Sequence, residues 1–231
     1  MLINCHWTKF HSNQNDYKAI LEFYKITFTF PNIDTLGNLV YFHDSLFVSK
    51  IGDTNVFFIP IYNIAEVNGR ISQTTNFSCY WNKKGDNNGF YYQSIKDSMG
   101  IKIPVDTFLN QNVLASLNIF DLISKSVLIK SETQFDTLTK IYFSKIVLDE
   151  TYNDSTVLTF SKIKRGIELP FCKRLDSLMG GSLIKARFIF NERFLPRVPI
   201  KLPKREMILE VQKIKPEFSQ WDYFIKKLTQ S

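Results

Sequence analysis

The stretch "SLIKARFIF", residues 182–190, decides how the chain is read. Ile184, Ala186, Phe188 and Phe190 recur at every second position, and Lys185 and Arg187 stand between them. A period of two sends alternate side chains to opposite faces of an extended backbone. The pattern therefore predicts a strand with one apolar face turned to a core and a cationic face turned outward.

Working outward, "MILEVQKI" (207–214) alternates in the same way, with Met207, Leu209 and Val211 on one side. Before the opening stretch, "LPFCKRLDSLMGG" (169–181) reads as a short helix ended by Gly180 and Gly181. Glycine takes the left-handed cap at low cost. Three further strands are expected in "SVLIKS", "TLTKIYFSKIVLD" and "STVLTFSKI". Asp106 caps a short helix after "GIKIPV", and "NVLASLNIFDLI" (112–123) has helical spacing.

Toward the start, Asn15 or Asp16 can cap a helix "YKAILEFYK" that runs into the alternating strand "ITFTF", ending at Pro31. "NLVYFHDSLFVSKIGDTNVFFIPIY" reads as two or three strands with "GDTN" as a tight turn. "FSCYWNKKGDNNGFYYQSI" (77–95) has the form of a hairpin, since its centre tolerates positive φ. At the other end, Pro216 starts a helix "EFSQWDYFIKKL" with Trp221, Phe224, Ile225 and Leu228 at helical spacing.

The sum is a β-rich α+β fold, built as one or two OB-type barrels or a β-sandwich with a few peripheral helices. Residues 1–231 form a single domain in this reading. The alternative is a division between an aromatic β-rich part (1–150) and a basic part (151–231), at the polar segment 149–156. At 231 residues the chain can bury a core without staples. Its 21 phenylalanines exclude a disordered chain.

Charge is unevenly spread. Residues 161–231 carry 16 Lys and Arg against 7 Asp and Glu, whereas the rest of the chain is slightly acidic. Six of the seven arginines lie between Arg165 and Arg205. Arginine's planar fork suits phosphate, and a one-ended basic excess points to a polyanionic partner. The expected nucleic-acid contacts are Lys162, Lys164, Arg165, Lys173, Arg174, Lys185, Arg187, Arg193, Arg197, Lys201, Lys204 and Arg205. Pro196, Pro199 and Pro203 make 191–205 an extended arm. Tyr80, Trp81, Tyr91 and Tyr92, around the 77–95 hairpin, are expected to stack on bases.

Catalytic templates are missing. No phosphate-loop, dinucleotide, nucleophile-elbow or HExxH motif occurs, and His6, His11 and His43 lack partners at zinc spacing. Asp106 has no (D/E)xK pattern after it; "DYK" at 16–18 lies before it. The acids of "LDETYND" (148–154) and the pair His43–Asp44 are the remaining candidates for chemistry. No cofactor or metal is indicated, and the sequence leans away from an enzyme. Cys5, Cys79 and Cys172 are odd in number and far apart, which fits a reducing compartment. No signal peptide or membrane span is read, so a soluble intracellular protein is expected.

The leading expectation is thus a non-catalytic protein gripping single-stranded or structured nucleic acid, DNA or RNA. One alternative is a structural subunit of a viral or phage shell or tail, a homo-oligomer or larger assembly joined through the proline-rich arm. The other is a nuclease with a dispersed metal site.

Overall fold

The computed structural model describes residues 22–67, 70–112, 119–144, 153–169, 171–194 and 201–215. In chain order come β1 (Glu22–Ile33), β2 (Leu39–Ile51), β3 (Thr54–Val67), β4 (Arg70–Lys83), β5 (Asn88–Tyr92) and β6 (Ile101–Pro104). Helices α1 (Val105–Asn112) and α2 (Ile119–Ser124) follow, then β7 (Ser126–Gln134), β8 (Thr137–Ser144) and β9 (Ser155–Ser161). Helix α3 (Lys173–Met179) precedes β10 (Ser182–Phe190), β11 (Arg193–Phe194), β12 (Lys201–Leu202) and β13 (Arg205–Lys213).

Eleven strands form one sheet in the order β6-β5-β4-β3-β2-β1-β13-β10-β9-β8-β7, and β11 pairs with β12 separately. Every pairing is antiparallel. The sheet is open, because β6 and β7 each have one neighbour. That corrects the barrel and sandwich expectation: the period of the strands was readable, but closure depends on the two edges meeting, and they do not.

One face of the sheet carries the main core. Tyr24, Ile26 and Phe28 of β1, Leu46 and Val48 of β2, Leu158 and Phe160 of β9, Ala186 and Phe188 of β10 and Leu209 and Val211 of β13 pack there. Phe108 and Leu109 of α1, Ile119 and Ile123 of α2 and Leu175 of α3 cover them. Each of the larger side chains contributes about 1.5–3 kcal/mol through burial. A smaller cluster sits on the opposite face, where Val56, Phe58, Cys79 and Tyr92 gather under Ile95. Cys79 and Cys172 are both buried.

Helix α3 ends at Gly180, whose φ of 65° is the left-handed cap. The strand over 182–190 is present with the same bounds, and it carries a bulge between Leu183 and Lys185. Residues 22–25 of the expected first helix are instead the start of β1, since Tyr24 falls in register with Val48 and Lys213. Cross-strand pairing overrode a helical spacing there. The rest of that helix, its caps Asn15 and Asp16, residues 113–118 and the helix after Pro216 lie outside the described residues, as do Arg197, Pro196, Pro199, His6, His11 and Cys5. Among the described residues no helix is long and apolar enough to cross a membrane.

Candidate functional site

The cations singled out in the sequence do not form a free electropositive track. On β10, Lys185 stands directly opposite Glu210 of β13 and pairs with it at 3.4 Å. Arg187 grips Glu206 through both ends of its guanidinium, at 2.9–3.0 Å. Arg165 is almost buried and is held by Asp176, the Leu183 carbonyl and Cys172. Arg193 pairs with Asp154, Lys173 with Glu168, and Lys201 with Glu192. Arg174 lies over the Phe120 ring and Arg205 over Phe190, and Lys162 donates to the Phe135 carbonyl at 2.8 Å. Lys164 and Lys204 are exposed.

Folding therefore brings Asp154, Glu206 and Glu210, all outside 162–205, onto cations that looked unopposed in sequence. The Glu168 carboxyl is held below its ordinary range, first by its hydrogen bond from Lys173, against the opposing effect of burial. Burial, helped by the Asp176 charge and outweighing the Arg165 guanidinium, pushes the Cys172 thiol well above its ordinary range. It is therefore no nucleophile.

The aromatic platform is also internal. Tyr80 is fully buried and stacks on Phe108 of α1 with ring centroids 3.9 Å apart. Burial, with the Asp106 charge, pushes its phenol up to about 12, so it stays a donor to the Ile103 carbonyl at 3.3 Å. Trp81 stacks on Phe90 at 5.1 Å, Tyr91 packs against the main core and Tyr92 is buried in the smaller one. Tyr80 and Tyr92 are thus buried, while Trp81 and Tyr91 are half-buried.

Among the described residues the chemical candidates do not converge, and 148–152 of the acidic stretch lie outside them. His43 Nδ1 lies 3.0 Å from Thr29 Oγ1, and Asp44 accepts from the Ser45 N–H at 2.7 Å. Asp106 sits in the first turn of α1. Among the described residues no three His, Cys, Asp or Glu side chains gather as a metal site would require.

What stands out is a fork in the sheet. β1 and β2 pair along their whole length, from Glu22↔Lys50 to Ile33↔Leu39. β3 and β4 do likewise, from Thr54↔Lys83 to Val67↔Arg70. Between these hairpins, however, the β2–β3 ladder runs only from Ile51↔Thr54 to Phe47↔Phe58. On the other side β1 leaves β13 after Thr29↔Ile208, and β4 meets β5 only at Cys79, Tyr80 and Trp81. Pro60 stands two residues past the end of the β2–β3 ladder, and Pro31 two past the end of the β1–β13 ladder. Each proline stays paired with its hairpin partner, but without an N–H it has nothing to donate toward the neighbour on its other side, where the ladder has ended.

The two projecting hairpins are apolar where they leave the body. In the β3–β4 hairpin, the register puts Phe58 and Cys79, Pro60 and Phe77, then Tyr62, Ile64 and Ile71 on one face. This stripe begins in the smaller core and runs out into solvent, with Ile64 72% and Ile71 76% exposed. On the β1–β2 hairpin, Pro31, Tyr41, Ile33 and Leu39 share that face, while Phe30 and Phe42 lie on the helical face. Tyr41, Phe42, Ile61 and Tyr62 are all exposed. None of these residues was a candidate from sequence. The signal that could have found them is a proline inside each alternating run.

No protein-family model matches the chain, and no curated protein matches it. Solved structures similar to the chain include the following two. A LolA superfamily protein from Nitrosomonas europaea is 10% identical, covering 85% of this chain and 86% of its own at a TM-score of 0.27. A putative outer membrane lipoprotein-sorting protein domain from Vibrio parahaemolyticus is 11% identical, covering 91% and 92% at a TM-score of 0.22. Likenesses this slight carry no argument. Neither description names nucleic acid or a viral or phage component. The expectations of a nucleic-acid partner and of a viral or phage assembly are corrected on the chain's own geometry: most of the cations, those of the proline-rich arm at Arg193, Lys201 and Arg205 included, are engaged within the fold.

Proposed function

We propose that the protein binds an extended apolar ligand, of the acyl-chain type, at the fork between the β1–β2 and β3–β4 hairpins. The observation that carries this is the early end of the β2–β3 ladder at Phe47↔Phe58 while both hairpins continue, with Tyr41, Tyr62, Ile64 and Ile71 left exposed on the face opposite the helices. An isolated exposed isoleucine is ordinary, but a run of them along one face, joined to a core, marks a place where apolar surface is covered by something else. Covering one further methylene of a chain contributes about 0.8 kcal/mol. Charge is sparse here: over the ladder from Pro60↔Phe77 to Val67↔Arg70, the only charged residues are Glu66 and Arg70.

The fork also has unpaired strand edges along β2 and β3, which favours a second reading, an extended peptide laid between them as an added strand. Titration of the full chain with a fluorescent fatty acid, in competition with unlabelled fatty acid, separates the two. Saturable binding weakened at least tenfold by Tyr41→Asp and by Ile64→Asp, which share the face opposite the helices, is the expected result. Both positions are exposed, so the variants are expected to stay folded. Absence of binding by the wild-type chain, or binding indifferent to both substitutions, overturns the assignment.

A further inference from the structure

The sheet has two edges, and they differ in how they are guarded. β6 is four residues long, ends in Pro104 and runs straight into α1. Short edge strands and proline are the usual protections against pairing with another chain. β7 is nine residues long and has no proline. Its guards are a bulge between Leu128 and Lys130 and the exposed charges of Lys130 and Glu132, and Val127, Leu128 and Ile129 are exposed in succession.

We infer that β7 is a self-docking edge, at which two copies of the chain pair their β7 strands antiparallel about a two-fold axis through Ser131. Charge complementarity selects that register. Lys130 and Glu132 lie on one face of the strand, both 57% exposed, and form an ion pair with each other. An antiparallel pair centred on Ser131 sets Lys130 of each copy opposite Glu132 of the other, so two cross-strand ion pairs form and no like charges meet on that face. A lone edge lysine repels a second copy; a lysine followed two residues later by a glutamate matches it.

A separate observation points the same way. Phe135, just past the end of β7, is 89% exposed and sits at φ 49°, a conformation a bulky side chain rarely adopts. In the Ser131-centred register the beginning of one β7 lies beside the end of the other. The exposed Val127 of one copy is thereby brought toward Phe135 of its mate. The two-fold axis runs perpendicular to the sheet, so the helical faces of the two copies lie on the same side. One strand pair is a small interface, and the dimer is expected to be concentration-dependent.

Light scattering after size exclusion, on the full chain across a concentration series, tests this. The wild type is expected to shift from monomer to dimer. Lys130→Glu alone and Glu132→Lys alone, which each oppose like charges, are expected to stay monomeric with unchanged circular dichroism. Mixing the two variants in equal amounts, or combining both substitutions in one chain, restores complementary pairs and is expected to restore the dimer. A wild type monomeric at its highest soluble concentration overturns the inference. So does equal assembly by single and mixed variants.

Discussion

The β10–β13 region and the β3–β4 hairpin are built from the same kind of strand and end in opposite states. Along β10 and β13 the apolar positions meet helices, and Lys185 and Arg187 meet Glu210 and Glu206. Along the outer half of β3 and β4 the apolar positions meet nothing described, and Tyr62, Ile64 and Ile71 stand in solvent. Period two says that a strand has an apolar face; it does not say whether that face will be covered from within the chain. Where it is covered, the strand is scaffold. Where it is not, the uncovered face is the place to look for function.

The sharpest way to break the comparison is to truncate one apolar side chain in each region. Phe188 of β10 is fully buried, and Phe188→Ala is expected to cost about 3–5 kcal/mol in denaturant unfolding. Ile64→Ala on the hairpin is expected to change stability by no more than about 0.5 kcal/mol, as for an exposed site away from the core. Comparable losses at the two positions would mean that the hairpin face is covered in solution, and the fork would cease to be a site.

Much of the body was readable because its signals are local. Alternation gave β10 and β13 nearly residue for residue, and Gly180 marked the end of α3. The "KKGDNNG" turn placed β4 against β5. The candidate site was not readable, for two physical reasons. Outward-facing cations on β10 look free in the sequence because their partners, Glu206 and Glu210, lie on a strand some twenty residues away, and an ion pair between neighbouring strands leaves no mark in either strand's own pattern. The aromatic hairpin has apolar rings on both faces, and only the fold revealed that α1 covers one face and the segment around Ile95 the other. Pro31 and Pro60 were visible, but the ladder that ends before each depends on a neighbour the sequence does not name.

A second experiment sharpens the boundary between hairpin and body. Gly89 of β5 lies under the Tyr80 ring, and a Cβ added there would collide with that ring and with the Trp81 carbonyl. The carbonyl belongs to the paired backbone of β4 and cannot give way. Gly89→Ala is therefore expected to cost about 1–3 kcal/mol by overpacking and to disturb the Tyr80–Phe108 stack, read as a change in near-ultraviolet circular dichroism. Ligand binding at the fork is expected to survive it wherever the protein stays folded. Loss of binding without loss of fold would place the site on the α1 side of the sheet.

The smallest expected effect concerns Glu22, which ties the start of β1 to the body. Its carboxylate accepts from the Gly166 N–H at 2.7 Å, Lys213 Nζ at 2.9 Å and the Tyr24 hydroxyl at 3.1 Å. Burial by itself would raise its pKa; the hydrogen bonds from Lys213, Gly166 and Tyr24 outweigh burial and hold it below the ordinary 4.5. A carboxyl depressed in the folded state stabilises fully above its unfolded value, and that stabilisation is lost as pH falls through 4.5 toward the folded value. Glu22→Gln is expected to cost about 1 kcal/mol at neutral pH and nothing once the wild-type carboxyl is protonated. The two unfolding curves, separate at neutral pH, should therefore converge in acid. A gap that persists undiminished in acid would show that Glu22 acts through shape and not through charge. The start of β1 would then be held to the body at Glu22 by shape and not by charge.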